Sequence, residues 1–128
     1  MAQLLRVSLG LPPSTNRIWR VYGGRLVKSA EARAYEQEIG WLAKQSMTMP
    51  APPGRELYAW MTFLIEQRRR IDLDNTQKII LDGISRACGF NDKDIMEIYA
   101  KQYLNTGRSL VIVTIGTFDH ERVNTEEM

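Results

Sequence analysis

The stretch Arg-Arg-Arg-Ile-Asp-Leu-Asp-Asn-Thr-Gln-Lys, residues 68–78, lies where the pattern predicts that a strand ends and a helix begins. Three arginines run into Asp72 and Asp74, and Lys78 follows four residues after the second aspartate. Two carboxylates this close repel each other, and Mg²⁺ removes that repulsion because it binds carboxylate oxygens. Arginine pairs with phosphate through a bidentate fork. Acids that hold a metal beside bases that hold phosphate are the groups that phosphodiester cleavage requires.

The same stretch also has a simpler interpretation. It could form a solvated, charged turn in which Asp74 is the N-cap of the following helix. Short charged motifs of this kind occur in many proteins without a shared function. From this stretch alone, both interpretations stay open.

The segments on either side of the stretch predict regular structure. Residues 58–65 are rich in aromatic and β-branched side chains, which predicts a central strand. Residues 75–88 predict a helix that stops at Gly89. One face of this helix carries apolar side chains, and the spacing brings three polar residues together on another face: Asn75, Lys78 and Asp82.

The rest of the chain completes an α/β (α+β) fold with a small mixed sheet and two main helices packed on it. The pattern predicts a strand over 4–9, a turn at 22–25, a helix over 30–46 capped by Ser29, and two final strands over 95–104 and 109–117. The turn residues 105–107 predict that the last two strands pair as an antiparallel hairpin. We expect one domain over 1–128, with 119–128 as a flexible tail.

Composition excludes several classes of protein. Apolar residues make up 44% of the 128 residues, which suffices for one core, and no apolar run is long enough to span a membrane. The first residues do not resemble a signal peptide, and Cys88 is the only cysteine, so we expect a cytoplasmic protein. Cys88 and His120 lie in contexts that do not favour a catalytic dyad or a zinc site. No phosphate-binding glycine loop is present, and no small-molecule cofactor is expected.

Basic residues are unevenly distributed along the chain. The window 17–28 contains Arg17, Arg20, Arg25 and Lys28 and no acid. Together with the arginine run, this window predicts two basic patches suited to nucleic acid. The tryptophans are expected to be packing residues, although one of them lies inside the basic window: Trp19, Trp41 and Trp60.

A third acid is expected at the site, because two aspartates alone hold Mg²⁺ weakly. Asp92 and Asp94 are the candidates, since they lie in a loop that returns toward the sheet after the second helix. Asp82 is a lesser candidate, and its expected role is a surface ion pair with Lys78 or Arg86.

The residues resemble the RusA endodeoxyribonucleases, which resolve Holliday junctions. The resemblance rests on Asp-Leu-Asp-Asn-x-x-Lys at 72–78 with the acidic loop that follows, on Leu-Pro-Pro-Ser-Thr-Asn-Arg at 11–17, and on Ser-Ala-Glu-x-x-x-Tyr at 29–35. It covers about residues 6–116 in the same order. It implies a RusA-like fold, a homodimer, Mg²⁺ with Mn²⁺ as a substitute, and paired symmetric nicks in four-way junction DNA during recombination and repair.

The resemblance also implies roles for particular residues. It places the catalytic set on Asp72, Asp74, Lys78 and Asp92, with the three aspartates as metal ligands. Asn91 replaces the first acid of the family's pair, and Asp94 then matches no catalytic position. Ile71 stands where relatives often have a fourth arginine. The residues predicted to bind DNA, most of them from the two basic patches, are Arg17, Lys28, Arg68, Arg69, Arg70 and Asn75.

Three alternatives remain at this point. The chain could be a non-catalytic DNA-binding module, although a complete catalytic set argues against decay. It could be a general metal-dependent nuclease. A nucleotide phosphohydrolase would need a closed pocket in place of exposed basic loops.

Overall fold

The computed structural model describes residues 2–118 of the chain. The predicted tail, 119–128, lies outside the described residues. Four strands form the main sheet, two form a separate ribbon, and two long helices pack on the sheet. In chain order the elements are β1 (Ala2–Leu9), α1 (Thr15–Ile18), β2 (Trp19–Tyr22), β3 (Arg25–Lys28), α2 (Ala30–Gln45), β4 (Leu57–Leu64), α3 (Leu73–Cys88), a 3₁₀ turn (Asp92–Asp94), β5 (Ile95–Tyr103) and β6 (Leu110–Thr117).

The main sheet has the order β1-β6-β4-β5, with β4 inside it. β4 pairs antiparallel with β6 and parallel with β5, and β6 pairs antiparallel with β1. The predicted mixed sheet is therefore confirmed. The two described ends of the chain meet in this sheet, because Ala2 lies opposite Thr117.

The predicted hairpin between the last two strands is wrong. Both strands form where the pattern predicted them, but β4 lies between them. The connection crosses the end of β4, where the Asn105 N–H donates to the Gln67 carbonyl at 2.8 Å and the Thr106 N–H donates to the Ile65 carbonyl at 3.0 Å. Asn105 adopts a φ of 58° in this turn. The strand order shows that the turn residues belong to a crossover and not to a two-strand hairpin.

One face of the sheet forms the core with both long helices. Ala59, Met61 and Phe63 alternate along β4 and are completely buried. They join α2 and α3 through side chains such as Ile39 and Ile80. None of the helices in residues 2–118 has the length and hydrophobicity required to cross a membrane.

The two long helices approach each other closely at Gly40 and Gly83. A Cβ on Gly83 would lie 2.9 Å from the backbone oxygen of Glu36, and one on Gly40 would lie 2.8 Å from the Cβ of Ala87. Side chains at these positions would force the helices apart. Glycine is therefore required here for packing, and the contact brings the polar residues of α2 and α3 together.

The two outer strands of the sheet differ in whether their outer edges are covered. Thr48 covers part of the β1 edge, because its N–H donates to the Leu4 carbonyl at 2.8 Å and its hydroxyl donates to the Gln3 carbonyl at 2.9 Å. The outer edge of β5 has no strand beside it among residues 2–118. Apolar side chains along β5 are exposed, including Met96 and Tyr99.

Candidate active site

The segment between β4 and α3 carries the three arginines and is fixed at both ends. The Ile65 N–H donates to the Tyr103 carbonyl at 2.9 Å. The side chain of Gln102 makes two hydrogen bonds to Ile71, accepting from its N–H at 2.9 Å and donating to its carbonyl at 3.2 Å. Because Gln102 belongs to β5, the parallel pairing of β4 and β5 sets the position of the residue just before Asp72. No local sequence signal indicates this role for Gln102.

Asp72, and not Asp74, is the N-cap of α3, so the predicted cap was displaced by two residues. One carboxylate oxygen of Asp72 accepts from the Asn75 N–H at 3.3 Å, and the other accepts from the Asn75 side-chain amide at 3.0 Å. The side-chain bond from Asn75 holds the pKa of Asp72 below its ordinary value, and the N–H groups of Asn75 and Asp74 act in the same direction. Asp72 is exposed. Its two hydrogen bonds orient the carboxylate, and its lowered pKa keeps the carboxylate ionised at neutral pH.

Asp74 and Lys78 lie beyond the cap on α3, and both are exposed. Asp74 is in the first turn, where a negative charge is favourable, and Lys78 is one turn later. The predicted polar face of α3 is confirmed, because Asn75, Lys78 and Asp82 line one narrow groove.

A cleft of about 480 Å³ lies between the segment 11–16 and the segment that joins β4 to α3. Asp72 and Arg69 line it from one side, and Ser14 and Asn16 line it from the other. The proline-containing motif that carried part of the resemblance thus forms the wall opposite the acidic motif. The sequence pattern pointed to this motif but gave no role to Ser14 or Asn16.

Asp92 begins the 3₁₀ turn and is exposed, and Asn91 before it caps the turn by accepting from the Lys93 N–H at 2.9 Å. Among residues 2–118, no three acidic, histidine or cysteine side chains lie close enough to form a metal site. The three-aspartate site therefore stays a prediction. Mg²⁺ is usually bound by one or two carboxylates together with waters and substrate phosphates. Asp72 and Asp74 fit that donor set, and Arg69 lines the same cleft as Asp72.

Arg68, Arg69 and Arg70 are exposed, and none has an ion-pair partner within residues 2–118. Their guanidinium groups are free to bind an external anion. Arg17 differs, because it pairs with Glu31, with its Nε donating at 3.1 Å.

Lys28 lies in a cluster of charges that joins three elements. Its ammonium group donates to Glu36 at 2.6 Å and to Asp82 at 3.1 Å. Glu36 is only 3% exposed, and Arg86 lies 3.9 Å from its other oxygen. Burial opposes the charge of Lys28, but the hydrogen bonds to Glu36 and Asp82 raise its pKa above the ordinary value. Asp82 forms an ion pair as predicted, but with Lys28 and not with Lys78 or Arg86.

The remaining candidates do not extend the site. Cys88 is buried at the end of α3, and burial raises the pKa of its thiol to about 11, so the thiol stays protonated at neutral pH. His120 lies outside the described residues. Trp19 packs partly against the core as predicted, whereas Trp41 and Trp60 are more exposed than a packing role requires.

The oriented carboxylate of Asp72 lies in the cleft beside Arg69. Asp74 and Lys78 follow within two turns of the same helix. Acids and bases grouped in this way are typical of proteins that act on nucleic-acid phosphodiesters. A sequence model described as Endodeoxyribonuclease RusA matches residues 10–116. The chain is 35% identical over 86 residues to the crossover junction endodeoxyribonuclease RusA of Escherichia coli K12, covering 63% of this chain and 67% of that protein. It is 36% identical over 86 residues to the enzyme of that name from Enterobacteria phage 82, with the same coverage. The chain belongs to the RusA endodeoxyribonuclease family.

Proposed function

We propose that this chain is a crossover junction endodeoxyribonuclease that resolves four-way DNA junctions by paired symmetric nicks in recombination and repair. The observation that carries the proposal is the cleft in which Asp72 and Arg69 face the motif at 11–16. Relatives of the same family carry this activity in their names. The single cysteine fits action in the reducing cytoplasm.

The described residues have separate tasks in this mechanism. Asp72 and Asp74 would hold Mg²⁺ or Mn²⁺ at the start of α3. Asp92 lies beyond the other end of α3, so it would serve as the third acid from a second copy of the chain. When bound, the metal supplies charge neutralisation at the phosphate and activates a water molecule. Asn75 orients the carboxylate of Asp72 through two hydrogen bonds. Lys78, one turn along α3, stabilises the charge that develops on the phosphate.

The basic residues differ in how freely they can bind DNA. The arginine run is exposed and unpaired, so it supplies the main phosphate contacts. Arg17 reaches DNA only in competition with Glu31. Lys28 is held by two carboxylates, so its main task is to fix the base of the β2–β3 ribbon.

The functional unit in this proposal is a homodimer, because paired nicks require two sites related by symmetry. The free edge of β5 supports this arrangement. Two copies of β5 paired antiparallel about Tyr99 place Glu97 of each copy opposite Lys101 of the other. Such cross-strand pairs of opposite charge stabilise a sheet. In this arrangement the apolar side chains exposed along β5 become covered.

The proposal is tested by incubating the purified protein with a synthetic four-way junction, with and without Mg²⁺, and mapping the nicks on each strand. We expect symmetric nicks in two opposed strands that depend on the metal. Equal cutting of junction and linear duplex would favour a general nuclease. Binding without cutting under any metal condition would favour a DNA-binding module.

A further inference from the structure

The β2–β3 ribbon presents the three most exposed large hydrophobic side chains in residues 2–118. Val21 is 77% exposed, Tyr22 is 79% exposed and Leu26 is 65% exposed. Isolated apolar side chains on a surface are ordinary, but three on the two faces of one short ribbon imply that the ribbon makes an interaction. The core does not require them, because none of them contacts it.

The register of the ribbon sorts its side chains onto two faces. Val21 lies opposite Leu26, and both point to one face. Tyr22 lies opposite Arg25 and shares the other face with Arg20. The first face is therefore an apolar pair, and the second is an aromatic ring flanked by two cations. Gly23 and Gly24 close the turn with φ values of 58° and 74°, which glycine adopts without strain.

The base of the ribbon is held firmly beside the candidate active site. The Ser29 N–H donates to the Ile18 carbonyl at 2.7 Å, and the Ser29 hydroxyl donates to the Arg17 carbonyl at 2.6 Å. Lys28 is fixed by its ion pairs to α2 and α3. Trp19 at the base of the ribbon lines the same groove as Lys78. The ribbon is thus anchored at its base and projects from the protein beside the face of α3 that carries Lys78.

The charges of the ribbon identify its partner as a polyanion. Residues 17–28 contain four cations and no acid. A second copy of the ribbon would bring the arginines of both copies together, and this repulsion argues against a contact between copies. Proteins that bind single-stranded nucleic acid stack its bases on aromatic rings and hold its phosphates with nearby basic side chains. Tyr22 between Arg20 and Arg25 has this arrangement.

We propose that the β2–β3 ribbon recognises the branch point of the DNA. Tyr22 stacks on a base exposed there, Arg20 and Arg25 hold the flanking phosphates, and Val21 with Leu26 covers the end of the adjacent base pair. A continuous duplex offers no such exposed base face, so the ribbon selects branched substrates. This inference rests on the proposed function, since it assigns to the ribbon the choice of substrate for the same site.

The test uses the full chain in EDTA, so that binding is measured without cutting. One synthetic junction carries 2-aminopurine at the branch point, and a second carries it in the middle of an arm. We compare the unmodified protein with the triple variant Val21→Ser/Tyr22→Ser/Leu26→Ser. Loss of stacking predicts junction binding weaker by about five- to a hundredfold and loss of the emission change at the branch point. Binding to linear duplex should stay the same.

Two further variants control the result. Trp41→Ser removes a comparably exposed side chain from α2 and should change neither signal. Tyr22→Phe keeps the ring and should retain the branch-point signal, whereas Tyr22→Ser should lose it. Light scattering on the triple variant should give an unchanged mass.

The proposal is overturned if the triple variant keeps the branch-point signal and its preference for the junction. It is also overturned if the triple variant loses binding together with half of its mass, because the ribbon would then be a contact between copies. Both outcomes are independent of junction cleavage by the unmodified protein, which tests the proposed function.

Discussion

Asp72 combines two tasks in one side chain, because it caps α3 and supplies a carboxylate to the cleft. These tasks can be separated by substitution. Asparagine is as good an N-cap as aspartate, but it carries no charge. The choice of replacement therefore decides whether the helix or the chemistry is tested.

We expect Asp72→Asn to abolish cleavage while the thermal unfolding temperature and junction binding stay near their original values. Asp72→Ala should lose cleavage and also lower the unfolding temperature, because α3 loses its cap. Asp74→Asn and Asp92→Asn should abolish cleavage in the same way. Asp94→Asn is the matched control and should retain activity. Near-normal cleavage by two of the three asparagine variants would contradict the assignment of the acids.

The bases of the site should divide between chemistry and binding. Lys78→Ala should lower the cleavage rate more than the affinity, because Lys78 lies beside the acids on α3. Arg69→Gln/Arg70→Gln should do the reverse and reduce the slope of log affinity against log salt by about one unit for each lost contact. Filter binding over a salt series measures the slope. An unchanged slope would mean that these arginines do not touch DNA.

For single residues, the sequence could predict proximity only where it depends on local spacing. Asp72, Asp74 and Lys78 follow one another within two helical turns, so their proximity could be inferred from the pattern alone. Gln102 and Asn16 reach the same region from distant parts of the chain. Their positions depend on strand pairing and on the path of the loop at 11–16, which no local pattern specifies.

The contact between α2 and α3 depends on two glycines that helix propensity disfavours. Alanine at Gly83 would improve propensity by up to about 1 kcal/mol. However, its Cβ would lie 2.9 Å from the Glu36 backbone oxygen, which cannot move without shifting the helix. The packing penalty should therefore exceed the gain in propensity.

We expect Gly83→Ala to destabilise the protein by about 1–2 kcal/mol, because overpacking costs about 1–3 kcal/mol. Urea unfolding followed by circular dichroism measures this change. Gly10→Ala is a matched control, since a Cβ there meets nothing within 4 Å. A gain in stability for Gly83→Ala would show that the helices can separate without cost.

The cluster of Lys28, Glu36 and Asp82 links the ribbon to both helices and gives stability a defined pH dependence. The pKa of Lys28 is raised in the folded protein, so its contribution is complete below the ordinary lysine value of 10.5 and is lost as pH rises through the higher folded value. Lys28→Met should cost about 2–3 kcal/mol at neutral pH, since Glu36 is buried and keeps only Arg86 nearby.

We expect the difference in unfolding free energy between the unmodified protein and Lys28→Met to narrow above pH 10.5. Comparing the two proteins at each pH cancels the titration of groups that they share. Lys28→Met/Glu36→Gln should recover part of the loss, because the uncompensated charge is removed. A difference that is constant up to pH 12 would exclude Lys28 as the source of the stabilisation.

The positions of the helices and strands and the mixed sheet agree with the sequence-based predictions, and the pairing of the last two strands does not. The strand over 57–64, the Ser29 cap and the Gly89 stop lie within two residues of the predicted positions. The pairing of β5 with β6 was wrong because adjacency and turn residues favour a hairpin, whereas β4 lies between these strands. Two strands that follow each other in sequence can occupy opposite edges of a third, and only the tertiary structure decides between these cases.

For the whole molecule, the proposed dimer predicts that its stability depends on the pairing of Glu97 with Lys101 of the second copy. Glu97→Lys should dissociate the dimer, because it places lysine opposite Lys101 of the second copy. Glu97→Lys/Lys101→Glu should restore the dimer, since the pair is reversed on both sides. Light scattering measures the mass, and the junction assay should show single nicks for Glu97→Lys. A dimeric mass for Glu97→Lys would place the interface elsewhere.

The pairing of β1 with β6 determines when this chain can finish folding. β1 is made before the other described strands, yet its partner is made only after residue 109. At about 5–20 residues per second, β1 waits several seconds with its hydrogen-bonding edge unpaired. β4 also requires β6, so the sheet closes in one late step of high contact order. β6, the last of the strands in residues 2–118, thus completes the core, and a nascent chain halted before it has an unfinished sheet.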